Sequence, residues 1–253
     1  MTIEVPTTGL RIGQGFPPFA DGFQISVDTT ILPGGGSSNV TTASQLRLPF
    51  YPLLPLSLRV QWGDGAFDDI TCDILSAPVS VLSSQVPGSS TTFGTTTPTG
   101  IFALVPFALH TYAVPGIYTV TLTENIVGGM PAPVCFTDPN QVPNLRATDA
   151  LKVLALKRWS GIPFLRYTNA FQGCSNLTLL DTEDDADANW SVCTHFGSAF
   201  ERTAIPSFPS FTFPAATNIN FMFFQAFNLV TAPVFVLTPG CQMNSTFRQC
   251  TSL

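Results

Sequence analysis

Acidic side chains are this chain's main stock of groups that could do chemistry. The run Asp181-Thr-Glu183-Asp184-Asp185-Ala-Asp187 holds five of the sixteen. Oxygen ligands at alternate positions suit Ca2+, which makes Asp181, Glu183, Asp185 and Asp187 the candidate ligands. An EF-hand loop is excluded, because no glycine stands at its sixth position and no glutamate at its twelfth. A solvated acidic loop is the preferred reading of this run. A second cluster, Asp64, Asp68, Asp69 and Asp73, follows Trp62 and reads as turn capping before calcium binding. Paired carboxylates could hydrolyse a glycosidic bond, yet nothing in the pattern fixes a pair at working distance. The two histidines, His110 and His195, leave little for acid–base chemistry or metal binding. The six cysteines include no C-x-x-C pair, so zinc and thioredoxin-type sites fail on spacing and buried free thiols are expected. No catalytic residue is assigned, and no cofactor beyond the Ca2+ candidates.

The rest of the composition says what must position these groups. The chain has 253 residues, 45% apolar and only 10% charged, so it folds. Its 19 glycines and 22 prolines point to many turns and few long helices. A net charge of −6 with no basic run argues against a nucleic-acid partner. No apolar run approaches the ~18 residues of a membrane helix, so no membrane insertion is expected. The N-terminus lacks the pattern of a secretory signal, which suggests a cytoplasmic protein or part of an assembly made in the cytoplasm, such as a virus particle.

Up to about residue 128 the chain reads as half-buried strands. Phe23-Gln-Ile-Ser-Val27, Leu56-Ser-Leu-Arg-Val-Gln-Trp62 and Ile117-Tyr-Thr-Val-Thr-Leu122 alternate apolar and polar residues. Turn chemistry separates them, as at Gly63-Asp-Gly65 and Pro115-Gly116, and an antiparallel sandwich is expected. Ser83 to Gly100, rich in Ser, Thr, Gly and Pro, reads instead as a long exposed excursion.

Two motifs stand out. Trp62-Gly63-Asp64-Gly65 ends one strand, and His110-Thr-Tyr112 precedes Gly116-Ile-Tyr118-Thr-Val-Thr-Leu122. The tryptophan should fill the core, the glycines permit φ > 0, Asp64 can bond its own turn, and Tyr112 suits a tyrosine corner. This pattern resembles the PKD family of immunoglobulin-like modules, from which it departs by an insertion of about forty residues from Ala66 to Leu109. The resemblance implies a spacer or stalk with a structural or binding role.

The rhythm changes near Ala150. Tyr167-Thr-Asn-Ala-Phe171, Phe196-Gly-Ser-Ala-Phe200, Phe223-Phe-Gln-Ala-Phe227 and Met243-Asn-Ser-Thr-Phe247 align, their last phenylalanines 29, 27 and 20 residues apart. The spacing of four puts both large side chains on one face of a helical turn, and turn, loop and short strand then repeat as in a solenoid. Ala170-Phe171-Gln-Gly-Cys174-Ser-Asn-Leu177 and Thr246-Phe247-Arg-Gln-Cys250-Thr-Ser-Leu253 carry a resemblance to the BspA-like, leucine-rich-repeat-related family of bacterial surface proteins. Stacking would hold Cys174 and Cys250 too far apart for a disulfide.

The expected protein is therefore mainly β. A PKD-like, Ig-like β-sandwich (residues 23–128, with an inserted loop at about 73–105) follows an N-terminal arm (1–22). A linker (129–150) then leads to an LRR-like solenoid of about four repeats (151–253). Its key positions are Trp62, Gly63, Asp64, Gly65, His110, Tyr112, Gly116, Tyr118, Phe171, Phe200, Phe227 and Phe247. The resemblances imply a non-enzymatic structural or adhesion protein, foremost a phage virion component such as a capsid decoration or tail-fibre protein, and alternatively a bacterial cell-surface adhesin. Its partners would be other virion or surface proteins and a host-surface glycan or protein, and a homo-oligomer is the default. Phenylalanines such as Phe208, Phe213, Phe221, Phe224 and Phe235 exceed what a thin core can hold. They predict either a partner-binding face or a second core layer against the sandwich.

Overall fold

The computed structural model describes residues 22–32, 41–50, 56–72, 77–96, 105–124, 148–158, 167–180 and 193–253. The N-terminal arm before Gly22, most of the 129–150 linker, Asp73 and the acidic run with Asp181, Glu183, Asp185 and Asp187 lie outside them.

The fold is mainly β, with several sheets, none closed, and almost no helix. Among the described residues twelve strands follow in chain order: β1 Phe23–Asp28, β2 Gln45–Pro49, β3 Leu56–Gln61, β4 Phe67–Cys72, β5 Val79–Ser84, β6 Ser90–Thr96, β7 Val105–Thr111, β8 Ile117–Glu124, β9 Val153–Arg158, β10 Leu179–Leu180, β11 Phe211–Phe213 and β12 Phe235–Leu237. A seven-stranded sheet runs β10-β9-β1-β8-β3-β4-β5, a three-stranded sheet runs β2-β7-β6, and β11 pairs with β12. Period-two alternation explains the inward faces. Phe23, Ile25 and Val27 of β1, Leu58 and Val60 of β3, and Leu46 and Leu48 of β2 are all buried in one core. Each such side chain, removed from water, stabilises the fold by roughly 1.5–3 kcal/mol.

The stretch expected to be a long exposed excursion is exposed or half-buried over residues 83–95, but it is not a loop: it supplies the end of β5 and all of β6. β5 pairs antiparallel with β4 and β6 with β7, joined through a turn in which the Ser89 amide donates to the Val86 carbonyl. Thr and Ser suit strands that keep one side in water, so polar composition did not mean loop here. Gly94 of β6 faces Phe107 of β7, and a Cβ at Gly94 would come within 2.7 Å of that ring.

Over residues 167–180 and 193–253 the chain winds into stacked turns. Phe171 stacks on Phe200 at 5.5 Å, Phe200 on Phe223 at 5.8 Å, and Phe223 on Phe247 at 5.5 Å. This corrects the repeat register. Phe223, not Phe227, is the buried residue of the third unit, and Phe227 is 50% exposed. With Phe223 in place, Ala226 and Leu229 occupy the positions of Cys174 and Leu177 in the first unit, and all four are buried.

The turns are also not helical. Asn169, Ser198, Phe221 and Ser245 have φ of 55–57°, and Gly173, Arg202, Gln225 and Gln249 follow at 58–77°. That left-handed excursion, costly for most residues, breaks the helix at regular intervals. It releases alternate amides sideways. The amides of Phe196, Ser198, Phe200 and Arg202 donate to carbonyls of Asn218, Asn220, Met222 and Phe224 in the next turn. Those of Ala199, Glu201 and Thr203 donate back within their own turn. Both large side chains of a unit still share one face, as Tyr167 and Phe171 are both buried.

Candidate functional site

The two sequence motifs meet in one buried polar network. Gly63 (φ 90°) and Gly65 (φ 97°) turn the chain after β3, and a Cβ at Gly63 would lie 2.5 Å from the Thr119 carbonyl oxygen. The Trp62 indole N–H donates to Asp68 Oδ2 at 2.7 Å. Asp68 also accepts from Ser80 Oγ and from Gln85 Nε2. Asp64 accepts from the Ala66 amide at 2.9 Å and from His110 Nε2 at 3.0 Å. Because the carboxylate can only accept, His110 carries its proton on Nε2, and Nδ1 accepts from the Thr91 hydroxyl at 2.8 Å. The His110 ring stacks on Trp62 at 4.6 Å and meets the edge of Tyr112 at 4.5 Å. Tyr112 donates its hydroxyl to the Trp62 carbonyl at 3.0 Å and stacks on Tyr118. Gly116 exchanges bonds with Thr29: its amide donates to Thr29 Oγ1, and its carbonyl accepts from the Thr29 amide.

Electrostatics follow from this burial. Desolvation pushes His110 below its ordinary value, with Asp64 pulling the other way. The buried Tyr112 phenol is raised, chiefly by desolvation. Asp69 is spoken for separately, accepting from Arg59 Nε at 2.6 Å and from Nη2 at 2.7 Å. Asp64, Asp68 and Asp69 thus point at three different partners rather than at one centre. Among the described residues no group of three or more His, Cys, Asp or Glu side chains gathers as a metal site. Cys174, Cys193, Cys241 and Cys250 are free thiols. His195 bonds Thr194 through Nδ1 and lies at the start of a stacked turn.

Two groupings have no counterpart in the sequence motifs. The first is Lys152, fully buried at the end of a 3-10 turn (Thr148–Lys152). Its ammonium donates to Thr41 Oγ1 and to the Thr42 carbonyl at 2.9 Å each, and lies 3.7 Å from Asp149. Asp149 in turn accepts from the Thr41 hydroxyl and the Arg47 amide. Burial raises the Asp149 pKa and lowers that of Lys152. The scarcity of lysine, present only at Lys152 and Lys157, was the available signal.

The second is a groove of about 260 Å³ over three consecutive turns, lined among others by Ser175, Arg202, Thr203, Gln225, Phe227 and Asn228. Arg202 Nε donates to Gln225 Oε1 at 2.6 Å, and Gln225 Nε2 donates to Gln249 Oε1 at 2.7 Å. Among the closely spaced phenylalanines, Phe208, Phe213 and Phe223 are buried, whereas Phe221 and Phe227 are exposed. The chain matches no protein-family profile, no curated protein and no solved structure.

Proposed function

We propose that this chain is a non-enzymatic structural or adhesion protein, built as a PKD-like β-sandwich leading into an LRR-like solenoid, and that it serves as a phage virion component. One observation carries the reading: large apolar side chains stand exposed in groups on regular β surfaces. Val79, Val81 and Leu82 lie together on β5, the outermost strand of the seven-stranded sheet. Val236 of β12 is exposed as well, with Val234 just before that strand and Val230 further upstream. Grouped apolar exposure of this kind marks protein–protein contact surfaces. The W-G-D-G network supports the same reading, since its acidic and aromatic groups are spent on holding a turn rather than on a cleft. Partners are then other virion proteins, a host-surface molecule and further copies of the chain in a symmetric assembly.

A bacterial cell-surface adhesin is the second reading. It is favoured by the corrected third unit, Met222-Phe223-Phe-Gln-Ala226-Phe-Asn-Leu229, which follows the BspA-like order of phenylalanine, small residue and leucine. The test is peptide mass spectrometry on density-purified virus particles and on washed cell envelopes from the source culture. Enrichment in particles is expected, and copy number separates decoration from fibre. Enrichment in envelopes alone would remove the virion reading and leave the adhesin.

A further inference from the structure

We propose that the groove over the stacked turns binds a neutral carbohydrate, one hexose unit or one residue of a longer glycan. This deepens the surface-contact reading above by naming a ligand class, and rests on that reading for its biological setting. Size comes first. At about 260 Å³ the groove is smaller than the ~300–1,000 Å³ sites that hold drug-sized molecules, so its ligand is small.

Chemistry comes next. Phe227 is half exposed at the groove, while the stacked phenylalanine of the same unit, Phe223, is fully buried. It therefore offers exposed aromatic surface to a ligand with an apolar face of its own. The same groove is lined by flat polar groups, the Arg202 guanidinium and the Gln225 and Asn228 amides, and by Ser175. Planar donors and acceptors of this kind suit the adjacent hydroxyls of a sugar ring. They are also held in place in advance. Arg202 bonds Gln225, Gln225 bonds Gln249, and Asn228 Nδ2 donates to the Ala204 carbonyl at 3.5 Å. Little side-chain freedom remains to be lost on binding.

Charge and backbone narrow the class. Arg202 Nε lies 3.6 Å from Glu201 Oε1, which offsets the cation locally, and the chain carries a net charge of −6. An anionic ligand gains little there. A peptide strand is disfavoured for a different reason. The Arg202 and Gln225 amides already donate to the Phe224 and Arg248 carbonyls of the neighbouring turn, so the groove offers these no longer to a main-chain ladder. A neutral ring with one apolar face and several hydroxyls fits what is left.

The experiment is ligand-observed saturation-transfer NMR on the full chain. Its probes are glucose, galactose, mannose, N-acetylglucosamine and their disaccharides, with sialic acid and a short neutral peptide as comparators. At least one neutral sugar should bind, with Kd in the roughly millimolar range or tighter. Phe227→Ala and Asn228→Ala should each weaken it by roughly tenfold, while Val236→Thr on the strand side leaves it unchanged. Phe227 and Asn228 are both exposed, so thermal midpoints equal to wild type will show that these variants fold. Absence of any neutral-sugar signal, binding of sialic acid or peptide alone, or equal binding by wild type and both groove variants would overturn the proposal. The fractionation result is independent. A chain found in neither particles nor envelopes would remove the proposed function while leaving the sugar titration to stand on its own.

Discussion

Tyr112 is where the two sequence motifs become one structure. Its hydroxyl bonds the carbonyl of Trp62, fifty residues away in sequence, and its ring is held between His110 and Tyr118. Tyr112→Phe keeps the rings and deletes only the donor, leaving a buried carbonyl with one partner fewer. The expected loss is about 1–2 kcal/mol, read as a lower urea midpoint at unchanged slope. His110 supplies a pH dependence. Its folded pKa lies below 6.5 because burial outweighs the pull of Asp64. As pH falls through 6.5 the unfolded chain takes up a proton that the folded chain still refuses, so stability declines until the folded pKa is passed. Thermal midpoints taken from about pH 8 to about pH 5 should fall more steeply for wild type than for His110→Gln. Equal slopes would falsify the assignment of a neutral, buried His110. This network was legible in the sequence because its parts are dictated locally: glycines where φ must be positive, an acid to bond the turn, aromatics to fill the space behind it.

At the scale of elements, legibility depended on whether side chains alone set the register. The first unit was readable, since Phe171, Cys174 and Leu177 are all buried at the expected spacing. The third was not. Phe221, Phe223, Phe224 and Phe227 lie within one short stretch, and a rule seeking alanine before phenylalanine selects Ala226-Phe227. What decides the register is backbone: Phe221 takes φ 57°, matching Asn169, Ser198 and Ser245, and so places Phe223 inward. A positive φ at phenylalanine leaves no mark in composition or periodicity. The contrast gives a direct test. Phe223→Ala should cost about 3–5 kcal/mol, as for a buried phenylalanine. Phe227→Ala should change stability by no more than about 0.5 kcal/mol. Reversed magnitudes in urea titrations would restore the register read from the sequence. β6 was missed for a related reason, its Ser and Thr being equally at home in a loop or on a half-wet strand.

Across the whole molecule, the change of rhythm near Ala150 suggests two independent bodies, but hydrogen bonding crosses it. β9, the first strand after that point, pairs antiparallel with β1, and β10 adds to β9 in parallel. Phe23 at the start of β1 stacks on Phe171 at 6.3 Å, and one cluster of buried apolar residues runs from Phe23 through Trp62 to Cys250. Lys152 fastens the same junction by bonding Thr41 and the carbonyls of Thr42 and Gln45 ahead of β2 and at its start. None of this is visible to a reading that treats each half by its own period, because a strand pairing between distant segments has no local signature. The consequence is cooperative. The first stacked turn, which carries Phe171 and leads into β10, cannot open without stripping β10 from β9 or breaking the Phe23–Phe171 contact, so loss of stability in the turns stacked on it should be felt in the sheet. Native-state hydrogen exchange reads this directly. In Phe223→Ala, the amides of β8, at the centre of the seven-stranded sheet, should exchange faster by the same factor as those of Phe200 and Arg202 in the stacked turns. If the turn amides accelerate while β8 keeps its wild-type protection, the halves unfold separately and the shared sheet is a docking contact rather than a common core.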